Sequence, residues 1–219
     1  MNCRSVVCYN PMTFSDVNKD TNRLRKEIGI PEHTPLVGTA CRLAAVKNPI
    51  AFTKVMCRVL QMIPSAHAII IGDGDDDTKQ EMYSVIRDYH VSERFHWMGY
   101  RSDASDLVNE LNCFVMTSYS EGLPTSILEA ISKRTPFAML EGEGGLKDIA
   151  ELNQREGPLG IVVPQKDLES MALGICKVLL NNKYAEALAD KAFLVAKRHF
   201  DISLISQKLY TIYKAACFQ

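Results

Sequence analysis

The chain lacks a hydrophobic run long enough to cross a bilayer. Its longest apolar stretches, such as 67–71, are strand-length, far short of the ~20 residues a membrane helix needs. It lacks an excess of charge of either sign, with 25 Lys and Arg against 26 Asp and Glu and a formal net charge of -1. Nucleic acid and acidic membrane surfaces therefore have no electrostatic basis as general partners. It lacks any Cys-x-x-Cys. The seven cysteines (Cys3, Cys8, Cys41, Cys57, Cys113, Cys176 and Cys217) are odd in number and scattered. That excludes zinc-ligand spacing and reads as reduced thiols packed as small hydrophobes in a cytoplasmic protein. The amino end, Met1 to Val7, has no long apolar core, so no signal peptide is expected.

Gly72-Asp-Gly74 lacks the third glycine of a dinucleotide fingerprint. The acidic run 73–77 lacks the glycine and terminal glutamate of an EF-hand, since Thr78 and Ser84 stand in those places. A metal-binding Asp-x-Asp is a weak pattern. The expected reading is a turn that closes a strand, followed by an acidic first helical turn. Repeats, low-complexity tracts and linkers are also missing, so one domain is expected over residues 1–219.

What the chain has is alternation. Short apolar segments at 5–9, 35–40, 66–71, 94–98, 113–117, 136–140 and 160–163 read as strands. Helical patterns fall at 21–28, 49–62, 78–89, 104–110, 124–133 and 146–152, with three closing helices near 167–181, 183–198 and 202–216. Asn48-Pro49 supplies an N-cap and a first-position proline. Apolar strands alternating with helices predict an α/β fold, a doubly wound parallel (Rossmann-like) sheet with helices on both faces. In such sheets ligands bind beyond the carboxyl ends of the strands. The segments after the strands are where chemistry belongs.

After 35–40 comes Arg42-Leu-Ala-Ala-Val-Lys47. A planar fork and a mobile ammonium in one strand-to-helix loop can converge on a diphosphate; two solvated surface cations are the plainer alternative. After 113–117 comes 118–129, in which Pro124 forces a sharp turn and Gly122 permits close backbone approach. The helix that opens there offers free N–H groups and the positive end of its dipole to an anion. The plainer alternatives are that Glu121 complements the helix terminus and that Glu129 pairs with Lys133 at i, i+4. After 136–140, Gly144-Gly145 would let amides lie against a ligand or merely form a flexible loop. His67 and His96 fall within strands and are expected to be packed rather than catalytic.

Together these segments resemble the retaining family 4 glycosyltransferases of the GT-B fold. The resemblance runs in order over about residues 5–213. It rests on Arg42-x4-Lys47, Ile71-Gly-Asp-Gly74, Phe95-x3-Gly99-Tyr-Arg101-Ser-Asp103, Ser120-Glu-Gly-Leu-Pro124, Ile127-Leu-Glu-Ala130, Pro136, Gly144-Gly145 and Gly160-Ile-Val-Val-Pro164. Glu121 and Glu129, with seven residues between them, match the family's E-x7-E signature. Each motif is weak alone; their order and spacing together are specific.

The resemblance implies the C-terminal, donor-binding half of a GT-B fold, with the N-terminal acceptor-binding domain absent from this chain. It implies that Arg42 and Lys47 hold the donor diphosphate, with Gly122 and Leu123 presenting amides near it. It places Glu121 as the catalytic-site carboxylate against the donor sugar, Glu129 at the ribose hydroxyls, and Tyr100 and Arg101 at the base. The implied donor is a UDP-sugar, with a GDP-sugar as the alternative. No metal or other cofactor is implied, and the acceptor would be a saccharide or lipid-linked saccharide. Asp148 departs from the pattern, since a glutamate often follows the double glycine. Two other functions compete: a nucleotide-binding subunit that completes a site with another chain, and half of a nucleotide-sugar epimerase. The E-x7-E pair together with Arg42-x4-Lys47 favours transfer over epimerisation.

Overall fold

Alternate residues of each strand enter opposite layers, and both layers are apolar, as a parallel sheet covered on two sides requires. A computed structural model describes residues 6–14 and 22–217. In chain order its elements are α1 (Arg23–Glu27), β1 (Leu36–Ala40), α2 (Pro49–Met62), β2 (His67–Ile71), α3 (Asp76–Asp88), β3 (Phe95–Trp97), α4 (Ala104–Leu107) and β4 (Cys113–Met116). There follow β5 (Ser120–Glu121), α5 (Thr125–Ser132), β6 (Phe137–Leu140), β7 (Glu143–Gly144), α6 (Gly145–Glu156), β8 (Ile161–Val163), α7 (Leu168–Leu180), α8 (Asn182–Phe200) and α9 (Ile202–Cys217). The main sheet has six strands, all parallel, in the order β3-β2-β1-β4-β6-β8. The doubly wound expectation holds, and chain direction across the sheet reverses between β1 and β4.

On one face Val37, Ala68, Ile70, Cys113, Val115, Ala138 and Leu140 pack under α2, α3 and α7 through residues such as Phe52, Met56, Met82, Met171 and Ile175. On the other, Leu36, Ile69, Ile71, Phe114, Met116, Phe137 and Met139 pack under α5, α6 and α8 through Ile127, Leu128, Leu146, Ile149 and Phe193. Burial in these layers pushes the Cys57 thiol up to about 12 and Cys113 higher still, so both are inert packing groups.

Helix α2 begins as expected, with the Asn48 side chain accepting from the Ala51 N–H and Pro49 in the first turn. Its last carbonyls are met from outside, where Arg94 Nη1 donates to Leu60 O at 2.7 Å. Two expectations are corrected. Within the described residues, 6–9 form no strand. Val6 and Val7 are exposed and pair with no strand among the described residues. The segment instead runs along the end of α8, where Tyr9 packs on Phe200 and donates to Asp148 Oδ2 at 3.0 Å. The 104–110 helix breaks after Leu107 into a 3-10 turn over Val108–Glu110.

His67 and His96 are indeed packed. Nδ1 of one lies 2.8 Å from Nε2 of the other, with ring centroids 5.1 Å apart and planes 13° apart. The rings therefore meet nearly coplanar and end to end, and one nitrogen must present a lone pair. Burial lowers both pKa values, and for His67 the neighbouring His96 and Arg94 lower it further. A histidine titrating lower when folded leaves the unfolded chain holding more protons, so stability falls as pH drops through about 6.5. The urea midpoint should therefore be lower at pH 5.5 than at pH 7.5. Replacing both residues by glutamine should leave only the share due to His199, whose pKa burial also lowers. A wild-type midpoint that does not move between these pH values would overturn this account.

Candidate functional site

The loops that follow β1 and β2 are joined beyond the strands themselves. Cys41 N donates to Ile71 O at 3.0 Å and Leu43 N to Asp73 O at 2.8 Å, and Leu43 bridges Gly74. The contact is so close that a Cβ on Gly72, at φ +150°, would lie 1.8 Å from Cys41 O. The acidic turn thus serves as the support of the Arg42 loop. Its carboxylates have structural partners: Asp75 caps α3 by accepting from Thr78 N, and Asp73 pairs with Lys79 at 2.7 Å.

Beyond β1 the chain enters a 3-10 turn, Ala45–Lys47, which carries Lys47 to the carboxyl edge of the sheet. The loop after β4 is tied to this turn. Thr117 Oγ1 lies 3.0 Å from both Lys47 O and Asn48 O, and Tyr119 N donates to Val46 O at 2.8 Å. Glu121 therefore faces Lys47. The ammonium contacts Oε1 at 2.6 Å and Oε2 at 2.8 Å, and Ser118 Oγ donates to Oε1 at 2.6 Å. The pair is only partly accessible, with side chains 24% and 12% exposed. Charge-assisted bonds of this kind are strong for their length.

A further tie comes from the loop after β6. Strands β5 and β7 form a separate two-stranded parallel sheet, with Ser120 opposite Glu143 and Glu121 opposite Gly144. Here the glycine pair has a role that sequence reading did not find. Gly144 sits at φ +67°, ψ -134°, and a Cβ on it would lie 2.2 Å from Glu121 O. A Cβ on Gly145 would lie 2.6 Å from Gly122 O and 2.9 Å from Leu123 Cα. The double glycine thus lets one loop backbone lie against the other. A Cβ at Gly122, which is exposed, would meet nothing within 4 Å, so any demand for glycine there comes from outside the protein packing.

Arg42 is exposed in the same loop as Lys47 and pairs with no carboxylate among the described residues. Leu123 is half-buried against the core. Glu129 is half-buried on α5, and Lys133, its partner in the plainer alternative, turns elsewhere, donating to Ser105 O at 2.7 Å. After β3, Tyr100 is 80% exposed. The Arg101 guanidinium is engaged by Asp103, at 2.9 and 3.0 Å, and by Glu27, at 2.7 Å. Its hydrogen bonds pull Asp103 down to about 2 and also lower Glu27. Arg101 thus anchors the Tyr100 loop to α1, and Tyr100 is the more available of the two to a ligand.

Ser118 and Gln165 gave no signal in the sequence. Gln165, just beyond β8, donates Nε2 to Ser118 O at 2.8 Å. Its own Oε1 is buried without a hydrogen-bond partner among the described residues, an arrangement that costs about 1–3 kcal/mol.

Residues 20–194 match the family model described as Glycosyl transferases group 1. The chain belongs to that family. Over 167 residues it is 25% identical to the lipopolysaccharide core biosynthesis glycosyltransferase LpsE of Rhizobium meliloti, covering 76% of this chain and 46% of LpsE. Among solved structures, Anabaena Alr3699/HepE in complex with UDP and glucose superposes with a TM-score of 0.82 at 22% identity. That match covers 96% of this chain and 57% of HepE. The C-terminal domain of the group 1 family protein LpcC from Francisella tularensis superposes with a TM-score of 0.72 at 17% identity, covering 89% of this chain and 99% of that domain. The GT-B, Rossmann-like expectation therefore holds. This group 1 chain spans about half the length of LpsE and HepE. No helix among its described residues is long and apolar enough to cross a membrane.

The two glycines make opposite predictions. Gly144→Ala should destabilise the domain by at least ~1–3 kcal/mol, the scale of a non-glycine residue forced into that backbone region. Gly122→Ala should stay within about 0.5 kcal/mol of wild type. Equal urea midpoints for both variants would refute the close-approach account.

Proposed function

We propose that this chain is the donor-binding half of a retaining glycosyltransferase, and that it takes a nucleoside diphosphate sugar, UDP-linked in the first instance, in the biosynthesis of a polysaccharide or glycoconjugate. The observation that carries the reading is the convergence of Lys47 and Glu121 at the carboxyl edge, where the loops after β1 and β4 are bonded together at the reversal of strand order. Ligands of doubly wound sheets bind at that point. The binding of UDP and glucose by HepE, a structural neighbour, supports the choice of ligand.

In this reading Arg42 and Lys47 receive the diphosphate, with the amides of Gly122 and Leu123 beside it. When the glycosidic bond breaks, negative charge grows on the departing diphosphate, and cations already fixed in place stabilise it most. Those two side chains supply that charge, so no metal ion is called for. Glu121 lies against the sugar as the catalytic carboxylate. Glu129, whose carboxylate has no protein partner among the described residues, accepts from the ribose hydroxyls. Tyr100 borders the base, with Arg101 fixing its loop. The acceptor, a saccharide or lipid-linked saccharide, meets an N-terminal domain outside this chain, at the cytoplasmic side of a membrane. A GDP-sugar fits the same phosphate contacts.

The test is calorimetry. Arg42→Ala should weaken UDP binding by ~1.5–3 kcal/mol, the scale of a hydrogen bond to a charged group, and leave uridine nearly unaffected. Equal losses for uridine and UDP would reject the phosphate assignment. The chain alone should bind donor without transferring it, because a one-sided cleft leaves the sugar open to water and lacks the acceptor wall. Rapid transfer from radiolabelled UDP-sugars to saccharide acceptors by residues 1–219 would contradict this.

A further inference from the structure

We infer that Ser118 is a positioning residue for the Glu121 carboxylate; the inference rests on the sugar-facing role given to Glu121 above. A carboxylate has about four acceptor positions on its two oxygens. Here Lys47 takes one on each oxygen, and Ser118 takes a second on Oε1. A diphosphate beside Lys47 competes with Glu121 for the same ammonium, because a lysine is a mobile point charge on a flexible stem. Once Lys47 turns to phosphate, the hydroxyl of Ser118 is the bond that still fixes Oε1. The carboxylate plane then keeps its direction, and Oε2 is left to accept from a sugar hydroxyl.

The surroundings of Ser118 fit this task. It is 2% exposed, so water does not compete for its hydroxyl. Its backbone is held independently of that hydroxyl, at three successive residues: Thr117 Oγ1 on the 47–48 carbonyls, Gln165 Nε2 on Ser118 O, and Tyr119 N on Val46 O. Removing the hydroxyl therefore takes one bond from Glu121 and leaves the loop pinned. This separates a positioning role from a structural one, which is why the substitution is informative.

The experiment is calorimetry on the full chain with UDP and with whichever of UDP-glucose, UDP-galactose and UDP-N-acetylglucosamine binds most tightly. The wild type should bind the nucleotide sugar more tightly than UDP. Ser118→Ala should weaken nucleotide-sugar binding by about tenfold, the loss of one hydrogen bond to a charged group, and change UDP binding by less than about twofold. Ser118→Thr, which keeps the hydroxyl, should restore most of the difference. Ser118→Ala should add nothing in a Glu121→Ala background, because a residue acting through another cannot act when that other is gone. Equal losses for UDP and the nucleotide sugar, or losses that add to those of Glu121→Ala, would show a merely structural serine and overturn the inference while leaving the donor site intact. A wild type that binds UDP and every nucleotide sugar alike would remove the sugar-facing role of Glu121 and this inference with it, while one that binds no nucleotide would overturn the donor-binding reading as well.

Discussion

One hydroxyl, that of Thr117, holds the site together. It bridges the carbonyls of Lys47 and Asn48, two residues from the turn that follows β1, while sitting itself just past β4. Those strands pair in the middle of the sheet, and each layer of the core is continuous across their junction. Everything placed at the carboxyl edge inherits its position from this junction. Lys47 can meet Glu121 only because the two loops are fastened a few ångströms below them. The support spreads outward from there, to the loop after β2 through Leu43 and Gly74, and to the loop after β6 through the short β5–β7 pairing.

Much of this was legible in the chain itself. Short continuous apolar runs located the six strands of the main sheet to within about a residue, because each strand must satisfy two apolar layers at once. Putting the motifs after the strands placed them on one edge without further information. Other features were not legible, for physical reasons. A strand of two residues, such as β5 or β7, has no periodicity to read; its pairing is a fact of tertiary placement. The double glycine could be read as room for a ligand or as a flexible loop, and its close approach to the backbone of Glu121 and Gly122 is again a fact of tertiary placement. Val6 and Val7 have the composition of a strand, but β-branched residues report an extended backbone and not the presence of a partner edge. Ser118 and Gln165 are ordinary loop residues until their partners, three and 47 positions away, are known.

Arg101 and Glu129 show how local rules yield to context. An i, i+4 pair on α5 was a sound reading of Glu129 and Lys133, worth a few tenths of a kcal/mol on an isolated helix. In the fold, Lys133 finds a backbone carbonyl on the 104–107 segment instead. Arg101, read as a neighbour of the base, is engaged by two carboxylates that stabilise the loop carrying Tyr100. In both cases the long side chain satisfies the nearest buried or charged acceptor, which spacing alone does not specify.

The strand order has a consequence for how the molecule is assembled in time. Most neighbouring strands in the sheet are close in sequence: Val37 pairs with Ala68, Ala68 with Phe95, Phe114 with Phe137 and Ala138 with Ile161. The exception is β1 with β4, where Val37 pairs with Cys113 across the whole of the first half. Closing that span costs about 1 kcal/mol more entropy than closing any of the others. The chain therefore behaves as two locally wound halves, β1 to β3 and β4 to β8, whose joining is the non-local event that slows folding. The Lys47–Glu121 contact straddles that seam. Any molecule that bridged Lys47 and Glu121 would thus hold shut the one closure that neither half can make alone.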